Sequence, residues 1–109
     1  MALADKKCMH PNWEKVQPMK LEKAHEYLDD LPGWTLDDDE SMLSKKFEFH
    51  DFTEAMAFVN QVAEIAEKEQ HHPDIHIFFK KVNLDLWTHA IQGLHENDFI
   101  MAAKINNLI

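Results

Sequence analysis

Two adjacent histidines followed by a proline, His71-His72-Pro73, and a further histidine, His89, behind a run of alternating apolar residues, are the residues best suited to chemistry. Imidazole is the one side chain whose ordinary proton equilibrium lies near neutrality, so converging histidines can pass protons or hold a metal. His72 and His76 have the four-residue spacing of a helical zinc pair, but Pro73 lies between them and denies the helix such a pair requires. On a strand His72 and His76 would still share a face, and His89 could join them. A three-histidine metal site therefore stays open beside acid-base chemistry. Nucleophilic catalysis is disfavoured: the only cysteine, Cys8, sits in a polar amino-terminal stretch, and there is neither a serine in a glycine elbow nor a glycine-rich phosphate loop. Glu67, four residues before His71, could orient it if a helix persists that far, or could be a solvated helix position.

Those histidines need elements to carry them. Residues 1 to about 17 show no periodicity and read as an arm, with Trp13 able to lie against the body, while 18–109 read as one domain. Leu21, Ala24, Leu28 and Leu31 form a helical stripe that Pro32-Gly33 stops. Trp34-Thr35-Leu36 is a short strand candidate, the acidic run Asp37 to Glu40 a solvated turn, and Leu43, Phe47 and Phe49 a half-buried strand with Lys45 discordant on its apolar face. Asp51, with Glu54 three residues on, caps a long helix whose apolar face holds Phe52, Ala55, Met56, Val59, Val62, Ala63 and Ala66. Phe58 and Ile65 widen that face, which suggests contact with a second subunit.

Pro73 ends this helix near His71-His72. Ile75, Ile77 and Phe79 then alternate, as do Val82, Leu84 and Leu86, so Lys80-Lys81 should join a hairpin. Centring the loop there pairs Phe79 with Val82, Ile77 with Leu84 and Ile75 with Leu86; on the other face His76 meets Asp85 and, by extrapolation, His72 approaches His89. Gly93-Leu94 closes the last strand, and a final helix runs from about Glu96 to Leu108, with His95 at its cap and Asp98 in its first turn.

Composition narrows the classes. With 109 residues, 45% of them apolar, 2 Gly and 4 Pro, the chain is an ordered globular domain. A net charge of -9 repels phosphate backbones and anionic lipid, so direct nucleic-acid binding is not expected. No apolar run is long enough to span a bilayer, and a single cysteine fits a reducing, cytoplasmic setting.

Taken together, Glu67, His71-His72-Pro73, Phe79, His89 and Asp98 resemble in order and spacing the signature of the pterin-4a-carbinolamine dehydratases. Pro32-Gly33-Trp34, Phe47 to Phe52, Thr88-His89 and Gly93-Leu94 look like further family segments, and the resemblance runs from about Leu21 to the end. It implies an α+β fold, with a four-stranded antiparallel sheet carrying three helices on one face in the order α-β-β-α-β-β-α, and assembly into a homodimer or homotetramer. His71, His72 and His89 become the implied catalytic residues. Glu67, Pro73, Thr88, Ala90, Ile91 and Asp98 become the implied substrate contacts, with Asp98 also a helix-cap residue. Ile75, at a site often aromatic in the family, and His95, in place of the usual Thr or Ser cap, depart from the pattern.

The implied reaction is dehydration of 4a-hydroxytetrahydropterin, as in a 4a-hydroxytetrahydrobiopterin dehydratase, restoring the pterin used by aromatic amino-acid hydroxylases. One histidine would serve as acid and another as base, with no metal and no cofactor beyond the pterin substrate itself. The rival reading is a non-catalytic dimerisation or regulatory module on the same fold; retention of all three histidines favours catalysis.

Overall fold

The changes of hydrophobic period along the chain produce α1 (Leu21–Leu28), β1 (Thr35–Leu36), β2 (Leu43–Glu48), α2 (Phe52–Glu69), β3 (Asp74–Phe78), β4 (Lys81–Leu86) and α3 (Glu96–Asn106). They are seen in a computed structural model that describes residues 2–109. The strands form one antiparallel sheet in the order β1-β2-β4-β3, so two hairpins are joined through β2 and β4. Leu43, Phe47, Val82, Leu84 and Leu86 are buried together with Ala24 of α1, Val59 and Val62 of α2, and Phe99 and Ile105 of α3 in one core. The intervening strand positions Lys46, Asn83 and Asp85 retain solvent contact. Period-two patterning thus gives the sheet a dry face under the helices and a polar face.

Helix α2 begins where Asp51 accepts a hydrogen bond from the Glu54 N–H at 2.8 Å, a cap worth about 1 kcal/mol. Its buried stripe is Ala55, Phe58, Val59, Val62, Ala66 and Glu69, which corrects the expectation that Phe58 faces a second subunit. Phe58 is only 4% exposed, with ring centroids 4.7 Å from Phe47 and 5.0 Å from Phe49. It is Phe52 that stands out, at 49% exposure.

Lys45 does lie on the core side of β2, and the structure shows how it is accommodated. Its Nζ donates to Asn106 Oδ1 at 2.8 Å and to the Pro32 carbonyl at 3.1 Å, while burial pulls its pKa down. Gly33 makes room for it: the backbone there has φ +88°, and a Cβ would come within 2.6 Å of Lys45 Cε.

The β3–β4 register differs by two residues from the expected one. Ile75 pairs with Leu84, Ile77 with Val82 and Phe78 with Lys81. A two-residue slip leaves every side chain on its original face, so the apolar pattern could not detect it. The loop is Phe79-Lys80, with Phe79 at φ +53° despite its bulk. Strand β4 also stops at Leu86, and His89 falls outside it in a short 3-10 turn, His89–Ile91, bracketed by a bridge between Thr88 and Gly93.

Candidate active site

The carboxyl end of α2 determines where the paired histidines go. Gln70 takes the left-handed conformation (φ 53°, ψ 41°) and closes the helix with its N–H on the Ala66 carbonyl. This turn breaks the helical relation of Glu67 to His71, so Glu67 does not orient His71 as its spacing had suggested. Its Oε2 pairs instead with His72 Nε2 at 2.5 Å, with both side chains more than half exposed.

His71 turns inward. Its Nε2 lies 2.6 Å from Asp98 Oδ1, and the two side chains are 10% and 0% exposed. Asp98 Oδ2 accepts from the Thr88 hydroxyl at 2.9 Å and from the His95 backbone N–H at 3.0 Å. Three donors therefore converge on one buried carboxylate, which satisfies it as burial requires. A carboxylate only accepts, so the His71 ring donates from Nε2 and turns its other nitrogen, Nδ1, away from Asp98. His72 donates from Nε2 to Glu67 in the same way. Asp98 is thus both a helix-cap residue and the support of His71.

His95 caps α3 fully. Its Nδ1 accepts from the Asn97 N–H at 3.0 Å while Asp98 reaches back to its backbone, a reciprocal capping box. Burial lowers the His95 pKa, partly opposed by Asp98 and Glu96.

The corrected register bears on His89. Continuing the ladder two positions beyond Asp74↔Asp85 brings Trp87, not His89, opposite His72. His89 packs on Trp87, with ring centroids 3.9 Å apart. The indole Nε1 is buried without a partner among the described residues. Trp87 was not singled out in the sequence, and only the right register would have revealed it. His89 and Ala90 are exposed and Ile91 half-buried in the 3-10 turn; Pro73 is half-buried, and Thr88 is buried against Asp98.

His76 pairs with Asp85, Nε2 to Oδ2, at 3.1 Å. Although the cross-strand partner of Asp85 is Asp74, the expected contact exists as a diagonal one. Among the described residues no group of three or more His, Cys, Asp or Glu side chains is gathered as a metal site requires, and none of the helices is long and apolar enough to cross a membrane. A cleft of about 590 Å³ between the amino-terminal segment, α1 and the end of α3 is lined by Lys6, Tyr27, Asp30 and Asn106 and contains none of the candidate residues.

Comparison with known proteins identifies the family. The family model described as pterin 4 alpha carbinolamine dehydratase matches residues 17–108. The chain belongs to that family. A protein of Halorhodospira halophila, provisionally named a pterin-4-alpha-carbinolamine dehydratase, is 45% identical over 108 residues, 99% of this chain and 98% of its own length. Pterin-4-alpha-carbinolamine dehydratase 2, mitochondrial, of Arabidopsis thaliana is 43% identical over 109 residues, 97% of this chain and 58% of its own. A crystal structure of a transcriptional coactivator/pterin dehydratase from Brucella melitensis superposes with a TM-score of 0.81 at 34% identity, covering 84% of this chain and 98% of that one. A pterin dehydratase-like protein described as a RuBisCO assembly factor in the alpha-carboxysome superposes with a TM-score of 0.60 at 26% identity, covering 70% and 88%.

Proposed function

We propose that this member of the dehydratase family removes water from a 4a-hydroxytetrahydropterin, with His71, His72 and His89 supplying general acid and base. The observation that carries the reading is that His71 and His72 are each backed by a carboxylate on Nε2, Asp98 and Glu67 respectively. Each ring so held is oriented through Nε2, which leaves Nδ1 as the nitrogen to exchange a proton with substrate. In the reaction a protonated imidazole delivers a proton to the C4a hydroxyl, and the C4a–O bond breaks to release water. A neutral imidazole takes the N5 proton, and the N5 electrons form the C4a=N5 bond of the quinonoid dihydropterin. The two transfers leave the pair of histidines with their proton count unchanged, so neither metal nor nucleotide is required. Glu67, Pro73, Thr88, Ala90, Ile91 and Asp98 would frame the pterin, directly or through the histidines they hold.

The same reading has the protein recycle the pterin, biopterin included, of an aromatic amino-acid hydroxylase. It works in the cytoplasm, where a lone thiol such as Cys8 stays reduced. It acts as a homodimer or homotetramer. Edge strand β3 supports assembly, since one of its edges is unpaired and Ile77, Phe78 and, at the turn, Phe79 are exposed by 38%, 58% and 69%.

The deciding experiment is turnover of freshly generated 4a-hydroxytetrahydropterin, with and without chelator. Acceleration over the spontaneous rate that chelation leaves untouched is the expected result; no acceleration would reject the reading. The likeness to a protein described as an assembly factor favours one alternative, a binding module that keeps the fold. An assembled but inactive protein would select it.

A further inference from the structure

The amino-terminal segment lies against the two helix ends that the His71–Asp98 pair joins, the end of α2 and the start of α3. Cys8 N–H donates to Glu69 Oε1 at 2.8 Å, and the His10 ring donates to the Glu69 carbonyl at 3.0 Å. Met9 N–H donates to Asn97 Oδ1 at 2.8 Å, and Asn97 Nδ2 returns a bond to the Met9 carbonyl at 2.7 Å. Trp13 packs edge-on against His95, 4.9 Å between centroids. Glu69 is two residues from His71, and Asn97 is one residue from Asp98.

Asn97 is fully buried and Glu69 only 7% exposed. Burying such groups costs several kcal/mol before their hydrogen bonds return it, so the net gain in stability is small, about 1 kcal/mol per bond. What a satisfied polar network supplies more surely is one fixed geometry. Here the network spans the end of α2 and the start of α3, in parallel with the His71–Asp98 bond. The Cys8 thiol adds no chemistry of its own, because burial and then Glu69 push its pKa up to about 12.

We propose that Cys8–His10 is a positioning clasp, which acts through Glu69 and Asn97 to hold the His71–Asp98 pair in register for proton transfer. The inference rests on the dehydratase reading, and its test separates the two. Asn97→Ala removes both bonds to Met9. Met9→Pro removes the arm's N–H and stiffens the arm while leaving Asn97 intact, at a position 58% exposed, and so spares the core. Glu69→Ala deletes the other anchor, whereas Glu69→Gln keeps an acceptor for Cys8.

Turnover is measured at a temperature where circular dichroism shows each variant folded, alongside the nitrogen-15 resonances of the His71 ring without substrate. Misplacement by about 1 Å can cost as much as about 100-fold in rate. Asn97→Ala, Met9→Pro and Glu69→Ala should therefore lower kcat by about 10-fold or more, with KM within about twofold and a shifted or broadened His71 Nε2–H signal. Glu69→Gln should stay within about twofold of the parent. An unchanged His71 signal with unchanged kcat in the folded variants would overturn the clasp, even if stability fell, and Met9→Pro decides should Asn97→Ala not fold. An inactive parent protein would reject the dehydratase reading alone, and the His71 resonances would still decide the clasp.

Discussion

His71 and Asp98 stand 27 residues apart in the chain, yet their side chains meet at 2.6 Å inside the protein. The carboxylate is shared with Thr88 and the His95 N–H, so it joins the end of α2, the segment after β4 and the cap of α3 at one point. Asp98→Asn keeps the shape but offers one acceptor atom where three donors converge. Turnover should fall about 100-fold, and unfolding should become easier by about 1–3 kcal/mol. Steady-state kinetics and urea titration measure both, and unchanged turnover would remove Asp98 from the support of His71.

The cap of α3 should make stability depend on pH. Burial depresses the His95 pKa in the folded protein, so as pH falls below about 6.5 the unfolded chain takes up the proton first. More protons are then bound in the unfolded state, so stability rises with pH across this window. The contribution is present above the unfolded value and is lost as pH falls through the folded one. His95→Asn, which accepts a cap hydrogen bond without titrating, should reduce this acid-side loss. Urea midpoints at pH 7.5 and pH 5.5 test it, and equal losses in parent and variant would show that other groups dominate.

The element order was legible because each apolar run has its own period, and so was the polar face of the sheet. The β3–β4 register was not, because a slip of two residues preserves both faces, and no glycine or asparagine marks the turn at Phe79-Lys80. Phe58 looked like excess width on α2 because the sequence does not reveal how far Phe47 and Phe49 reach across the core. The candidate histidines were visible as residue types, but the carboxylate that holds His71 was not. Glu67 has helical spacing to His71 and bonds His72, because a single left-handed residue, Gln70, intervenes. Glu69 continues the spacing of the α2 stripe but is a charged residue, which reads as solvated, and the arm that binds it carries no periodic signal.

The corrected register yields a prediction for Trp87, which packs on His89 and falls opposite His72 only when the ladder is continued past Asp74↔Asp85. Its indole N–H is buried without a partner among the described residues, so Trp87→Phe sacrifices no hydrogen bond and should retain stability and most activity. Trp87→Ala removes the surface against which His89 rests and should lower turnover about 10-fold. Kinetics of the two variants separate ring from N–H, and equal, large losses in both would assign the role to the N–H.

Three histidines for two proton transfers predict an uneven mutational profile. His71→Ala, His72→Ala and His89→Ala should each slow dehydration within the range of about 100- to 10,000-fold typical of a lost acid or base, since a neighbouring imidazole or water substitutes in part. The His72→Ala/His89→Ala double variant should approach the spontaneous rate, because only His71, held inward by Asp98, remains. His76→Ala is the control: its ring is half exposed and bonded to Asp85 across the hairpin, a surface pair worth little to stability. It should leave turnover within about twofold, a margin far smaller than the loss of any true proton donor. Rates for all five variants at equal substrate would show this order, and a His76→Ala defect as large as that of His72→Ala would move the reacting centre from the end of the hairpin onto the polar face of the sheet.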